Sequence, residues 1–306
     1  MNEKYEIIIV GAGPAGMAAA VYTGRARLKT LVLEKGIPGG QILLTDFVEN
    51  YPGFPEGIAP FELMGDFRKH VEKFGATIET GEASGVSFGD GLWTVSAGDK
   101  KFSAPVVIVA SGSAYRRINV PGEARLTGRG VSYCATCDGA FFKERDVAIV
   151  GGGDHALTEA LFLTKFAKSV KVIHRRNKLR GEKILQERVF DNKKIEVVWD
   201  SVVEEMSGQE HLEFVTVKNV KTGRVSRIDL EGIFIAVGMD PNSGFVKGVL
   251  DLDKWGQIKA KPDMSTSQPG IFAAGDITDI CPEQMAIAVG SGVVAALSAV
   301  DFIEKL

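Results

Sequence analysis

Twice along the chain the same order of polarity returns. An apolar run of strand length (residues 6–10, then 147–150) ends in a glycine cluster and gives way to an alanine-rich stretch of helical length. A second apolar run (30–33, then 170–173) follows each helix. The runs are continuous rather than alternating, the pattern of strands covered on both faces, so each set predicts a βαβ unit of a parallel sheet. Two further runs, 105–112 and 230–238, each end in glycine and look like internal counterparts, one per unit. A helix is predicted near 61–74, with short strands between it and residue 105.

Beyond Pro241 the chain carries one more short run, 271–276, and a helical stretch, 285–300, without a third glycine fingerprint. Such a tail completes a sheet already begun, and the first unit is its simplest host. The α/β pattern therefore predicts one domain interrupted by another: 1–114 and 244–306 flanking 115–243. Residues 285–300 are uncharged but shorter than the ~20 needed to span a bilayer, and Asp301 follows, so a buried helix is expected rather than a membrane segment. The apolar stretch 5–22 contains Gly11, Gly13, Pro14 and Gly16 and lacks a convincing basic lead-in, which argues against a signal peptide.

The chemistry lies at the two glycine turns, Gly11-Ala-Gly13-Pro14-Ala15-Gly16 and Gly151-Gly-Gly153-Asp154-His155-Ala156. Glycine there permits a tight turn and close approach of backbone to a pyrophosphate, with the helix N-terminus supplying partial positive charge. The second strand of each unit tells the two sites apart. About twenty residues after Gly13 stands Glu34, a carboxylate able to accept from the ribose hydroxyls of an adenosine. At the equivalent place in the second unit stands His174, followed by Arg175, Arg176 and Arg180. Guanidinium groups hold a 2′-phosphate with charge-assisted bonds where a carboxylate would repel it, so the second site is expected to take NADPH rather than NADH. The bland alternative for that cluster is a solvated basic turn.

Composition narrows the field. The 306 residues suffice for two ordinary domains, and a net charge of −3 leaves no basic footprint for nucleic acid. Three cysteines, an odd number, argue against a disulfide-stapled secreted scaffold and for a reducing, cytoplasmic setting. Two of them form Cys134-Ala-Thr-Cys137, between the fingerprints. Half a zinc site needs two more ligands, yet Cys281 and the four histidines (His70, His155, His174, His211) are scattered, and no metal is expected. Inert buried thiols are the other bland reading, against which Asp138, directly behind the motif, argues for proton chemistry. Two intervening residues permit a disulfide that forms and opens with little backbone movement, so a redox pair is expected.

Jointly these motifs, with Gly39-Gly40-Gln41, Glu49-Asn50-Tyr51-Pro52-Gly53, Cys134 to Gly139, His174-Arg175-Arg176 and Ala274-Gly275-Asp276, resemble over essentially the whole length the low-molecular-weight bacterial and archaeal thioredoxin reductases. The resemblance implies a homodimeric flavoprotein of two Rossmann-like ββα domains, an NADPH domain inserted into a discontinuous FAD domain. It places Gly39, Gly40, Gln41 and Asn50 around the flavin, Asp276 near its ribityl and pyrophosphate portion, and Gln284 at the ring. Ala110, Gly112, Gly275, Met285 and Ala286 complete the FAD set. It also implies that Cys137 faces the flavin, that Cys134 attacks the disulfide of thioredoxin or a thioredoxin-like protein, and that Asp138 is the general acid. In that family the NADPH domain swivels, which would place hinges near 114–122 and 239–243.

The chain departs from the family pattern at His155, where a small residue is common, and at Ile280 and Glu283, where relatives often carry His and Arg before Gln284. His155 is expected either to meet the pyrophosphate or to be a partly exposed residue at the helix start. A lone thiol at Cys281 is most simply structural. The alternative function is a related flavin disulfide reductase with another donor or acceptor: a ferredoxin-type donor, or a glutaredoxin-like or peroxiredoxin-linked acceptor. A flavin-binding module without turnover would need neither the dithiol nor the arginines.

Overall fold

A computed structural model describes residues 3–44 and 47–306, without the side chains of Glu3, Leu44 and Cys137. The chain forms two compact units, Met1–Ala114 with Asp240–Leu306, and Tyr115–Met239. The return crossing thus precedes the expected 243. Asn242 belongs to the first unit through three bonds: its N–H to Gly112 O (2.9 Å), its side-chain amide to Ser111 O (2.9 Å), and its own carbonyl accepting from Ser111 Oγ (3.0 Å).

The first unit begins with β1 (Ile7–Val10), α1 (Pro14–Arg25), β2 (Thr30–Glu34), α2 (Pro60–Lys73), β3 (Thr77–Thr80) and β4 (Val106–Val109). The second contains a one-turn helix α3 (Ala135–Asp138), then β5 (Asp146–Gly151), α4 (Asp154–Leu163), β6 (Ser169–Ile173), α5 (Lys183–Asp191), β7 (Ile195–Val198) and β8 (Gly232–Ala236). The chain then returns to the first unit for β9 (Ile271–Ala273) and α6 (Met285–Ile303).

The tail completes the first sheet, all parallel in the order β9-β4-β1-β2-β3, with Val10 level with both Leu33 and Val109. In the second unit the order is β8-β5-β6-β7, and Val131–Ser132 extends the β8 edge. Alternation along β1 divides the core. Ile7 and Ile9 pack with Met17, Ala20, Ala295 and Ala299 of α1 and α6, whereas Ile8 and Val10 pack with Val86, Trp93, Val95 and Phe102 of an antiparallel meander. The second unit repeats this. Ile149 and Val172 meet Leu157 and Leu163 of α4 on one side, and Ala148 and Val150 meet Val203, Met206 and Val215 on the other. These are the expected three ββα layers, twice.

The last helix corrects an expectation. It runs past Asp301 to Ile303 and is not buried all round. Ala288, Ser291, Gly292, Ala295, Ala296 and Ala299 form a small-residue face so close to α1 that a Cβ on Gly292 would strike the Ala15 backbone. On its outer side Ile287, Val294 and Leu297 are exposed, Leu297 by 52%.

Candidate active site

The first glycine turn has no room for side chains. Gly11 adopts φ +106°, where L-residues are strained, and a Cβ there would strike the carbonyl of Ala110. A Cβ on Gly16 would strike the carbonyl of Gly11. Gly13 caps α1 in extended conformation with no side-chain cap, Pro14 follows it, and Ala15 and Gly16 are buried. The first amides of α1 are therefore left to an anion. Glu34 closes the cradle: Oε2 accepts from Ala12 N–H at 2.7 Å and Oε1 from Gly36 N–H at 2.9 Å. Each carboxylate oxygen keeps lone-pair capacity for ribose hydroxyls.

Gly39 N–H donates to Ala12 O at 2.8 Å, which draws the 39–41 segment onto the turn, and Gly40 lies against Gly13. Gln41 Nε2 donates to Ser113 O at 3.0 Å, while its Oε1 is buried with no partner among the described residues. Asn50 Nδ2 donates to Gln284 Oε1 at 3.3 Å. Ala110 N–H is held by Val10 O (2.8 Å), and Gly112 turns with φ +61°. Gly275 donates its N–H to Ser291 Oγ at 2.9 Å, and Asp276 sits in the Gly275–Ile277 turn, well ahead of α6. Gln284 itself is the N-cap of α6 and makes no side-chain cap bond; Met285 is half-buried and Ala286 exposed. Burial, then the neighbouring Glu283, pushes the Asp276 carboxyl up to about 6, and no described residue donates to it. A turn without room for a Cβ, an uncapped helix start, an orphaned amide oxygen and a half-buried carboxylate without donors among the described residues all fit FAD. Its pyrophosphate would meet α1, a ring N–H or hydroxyl would meet Gln41, and its ribityl hydroxyls would meet Asp276.

The second cradle is built the same way. A Cβ on Gly151 would strike the carbonyl of Ala236, and Gly153 is the extended, uncapped start of α4. Asp154 Oδ1 accepts from Glu182 N–H at 2.6 Å, and Ala156 is buried. His174 lies beneath the turn instead of in it. It is 4% exposed, its Nδ1 is 2.9 Å from Gly151 O, and its Nε2 is 3.0 Å from Lys178 O. Both ring nitrogens face backbone carbonyls, of which a neutral ring donates its one N–H to a single carbonyl, so His174 buttresses the turn from below. Burial holds its pKa down against the opposing pull of the Lys178 and Gly151 carbonyls, with Arg180 and Arg176 adding to the burial effect. The arginines themselves are exposed, and Arg180 N–H donates to Gly152 O at 2.6 Å, which brings that residue to the turn. None of Arg175, Arg176 and Arg180 enters an ion pair among the described residues. Unpaired guanidinium groups beside an uncapped helix start fit the 2′-phosphate of NADPH.

Between the cradles in sequence, Cys134 is disulfide-bonded and buried, whereas Cys281 is a free buried thiol. The expected role of Cys137 rests on a side chain outside the described residues. Ser132 Oγ accepts from Cys134 N–H (3.1 Å) and bonds the Cys134 carbonyl (3.2 Å), and Asp138 N–H donates to that carbonyl at 3.2 Å. Asp138 is half-buried and its side chain caps nothing. Two neighbours escaped the sequence reading. Glu159 of α4, 4% exposed, accepts from Ala135 N–H at 2.7 Å, and Tyr115 stacks on His155 at 5.5 Å. The i,i+4 spacing of His155 and Glu159 was the available signal. His155 is 45% exposed along its side chain, at the start of α4.

Two dinucleotide cradles in one chain, the second in the same unit as a disulfide, define a flavin- and nicotinamide-dependent disulfide oxidoreductase. The family profile "Pyridine nucleotide-disulphide oxidoreductase" matches residues 5–292. The chain is 46% identical to a thioredoxin reductase of Bacillus subtilis (strain 168), over 100% of this chain and 98% of that one. The crystal structure of Lactococcus lactis thioredoxin reductase superimposes with a TM-score of 0.96 at 43% identity, covering 99% of this chain and 100% of the other. For the crystal structure of T. acidophilum thioredoxin reductase the TM-score is 0.93 at 33% identity, with 98% of this chain and 99% of the other covered. The chain belongs to the low-molecular-weight thioredoxin reductases of the pyridine nucleotide-disulphide oxidoreductase family.

Proposed function

We propose that this protein carries electrons from NADPH to the disulfide of thioredoxin or a thioredoxin-like protein. The observation that carries the reading is the Cys134 disulfide, seated on a unit whose own glycine turn is flanked by three unpaired arginines. When bound, FAD and NADPH supply the redox chemistry, a hydride entering from NADPH and two electrons leaving to the Cys134–Cys137 disulfide. The protein's residues bind, orient and move protons. Gly11, Gly13 and Gly16 admit one pyrophosphate to α1, and Gly151 and Gly153 admit the other to α4. Cys134 attacks the partner's disulfide, Cys137 closes the internal one again, and Asp138 protonates the departing thiolate.

Anaerobic titration tests this reading. Addition of NADPH to the FAD-loaded protein should bleach the flavin absorbance, and oxidised thioredoxin should restore it. A flavin that NADPH leaves oxidised, or that thioredoxin cannot reoxidise, would refute the reading in favour of another donor or acceptor.

Nucleotide choice should follow the arginines. In Arg175→Ala/Arg176→Ala the KM for NADPH should rise by roughly 10²-fold while that for NADH barely moves, since a charged bidentate contact contributes several kcal/mol and only NADPH makes it. Steady-state kinetics with both nucleotides decide this; equal losses would return the cluster to a solvated turn.

A homodimer goes with this reading, supported by the outer face of α6. Ile287, Val294 and Leu297 lie along one side of a helix whose opposite side is already packed. Leu297→Glu should weaken dimerisation by about 30-fold or more, the range of a central apolar residue at an interface. Sedimentation velocity at several protein concentrations would show it, and an unchanged dimer would place the interface elsewhere. A cytoplasmic setting is supported by the free thiol of Cys281.

A further inference from the structure

A buried carboxylate is costly unless donors surround it. Glu159 has one donor, the N–H of Ala135, bonded to Oε1, and Ala135 is the residue that follows Cys134. Its other oxygen, Oε2, is buried without a hydrogen bond among the described residues. His155 Nε2 lies 3.6 Å from that oxygen, one helical turn earlier, on a side chain that reaches solvent. The titratable groups facing Glu159 are thus His155 on its own helix and Tyr115 from the strand Ser113–Tyr115, with Cys134 the ionisable residue next to the amide it holds. Burial pushes Glu159 up to about 7 and holds His155 down, while burial and then the charge of Glu159 raise Tyr115, which stays protonated. A merely structural link to Ala135 N–H needs one oxygen. It explains neither the unpartnered second oxygen nor the imidazole that leads from it to the surface.

We propose that Glu159 is a positioning residue that holds a proton for the Cys134 sulfur and exchanges it with solvent through His155. This deepens the reductase reading and rests on it for the role of Cys134. Opening the Cys134–Cys137 bond takes two electrons, delivered from NADPH through the flavin, and two protons. One proton makes the Cys137 thiol. The other resides on Glu159 while Cys134 is a thiolate, or on Cys134 while Glu159 is ionised. Both electrons and both protons leave with the partner's dithiol when the internal disulfide closes again. The carboxylate and thiolate charges therefore oppose each other, and protonation of Glu159 favours the nucleophile.

The test uses full-length FAD-loaded protein carrying Cys137→Ser, so that Cys134 is reduced, with and without Glu159→Gln. Glutamine keeps an oxygen for Ala135 N–H, and FAD absorbance reports that the fold is intact. The rate of Cys134 alkylation by iodoacetamide, followed by peptide mass so that Cys281 is not counted, is measured across pH values around neutrality. With Glu159 the profile should rise in two steps. With Gln the upper step should vanish, leaving a single rise at the lower pH, and the rate at neutral pH should be about tenfold higher, the effect of removing one nearby unit charge in a protein environment. A second measurement needs no variant at Cys137: reduction of the wild-type disulfide should add a protonated-carboxyl band to the infrared difference spectrum, and Glu159→Gln should lack it. Superimposable alkylation profiles, or a difference spectrum without that band, overturn the proposal. Turnover of thioredoxin by the wild type is scored separately: an enzyme that turns over with unchanged alkylation loses only the role of Glu159, whereas one that never reduces thioredoxin loses the reductase reading.

Discussion

Cys134→Ser and Cys137→Ser should each abolish thioredoxin reduction while leaving the flavin open to bleaching by NADPH. The argument is one of order. Hydride transfer involves the two nucleotides and the cradles that hold them, and neither cradle borrows a group from the dithiol: Gly11 to Gly16 and Glu34 bond among themselves, as do Gly151 to Asp154, His174 and Arg180. Electron export has no other described thiol to use, because Cys281 is free and buried in the helix-side core of the other unit. Serine matches the volume of cysteine closely enough that Ser132 can keep its two bonds to residue 134, so loss of turnover would not come from a collapsed loop. Turnover with a disulfide acceptor should fall to background, a loss of at least ~10⁴-fold, as expected when a covalent nucleophile is removed. Rapid-mixing spectra with NADPH alone should remain close to wild type. Residual thioredoxin turnover in either variant would move the redox centre away from this motif.

How much of this was legible beforehand depended on whether the signal was local. Continuous apolar runs ending in glycine reported strands covered on both faces, and those runs became β1, β4, β5 and β8 in two ββα stacks. The interrupted order was legible because residues 271–276 had no fingerprint of their own, and β9 does pair with β4. The last helix was misjudged because apolar composition alone does not say how many faces a neighbour covers; small residues at 288, 292, 295 and 299 mark the covered side, and the branched ones at 287, 294 and 297 the open side. His174 was placed in the nucleotide site by its position after β6, yet its ring packs against Gly152 and bonds Gly151 O, a tertiary contact that motif spacing does not encode. Glu159 was missed for the same reason: on α4 it looks like any helix carboxylate, and only the fold brings it to Ala135.

Asp138→Asn should slow disulfide reduction by ~10² to 10⁴-fold, the usual contribution of a positioned acid or base. The rival role for this residue, capping a helix, would leave activity nearly whole, since Asn caps about as well as Asp. The structure weakens that rival. Asp138 stands where the one-turn helix α3 passes into the turn Gly139–Phe142, and its side chain makes no cap bond there, so the carboxyl is not spent on backbone. It is only half-buried, so a proton can be restored to it directly from solvent after each turnover, whereas Glu159 is 4% exposed. Asn keeps the shape and removes the exchangeable proton. The loss should therefore appear in the half-reaction that expels a thiolate, with FAD content and NADPH-driven bleaching unchanged. Stopped-flow traces of both half-reactions separate the outcomes: if dithiol oxidation by thioredoxin runs at the wild-type rate in Asp138→Asn, the acid is another group, and Glu159 becomes the next residue to test.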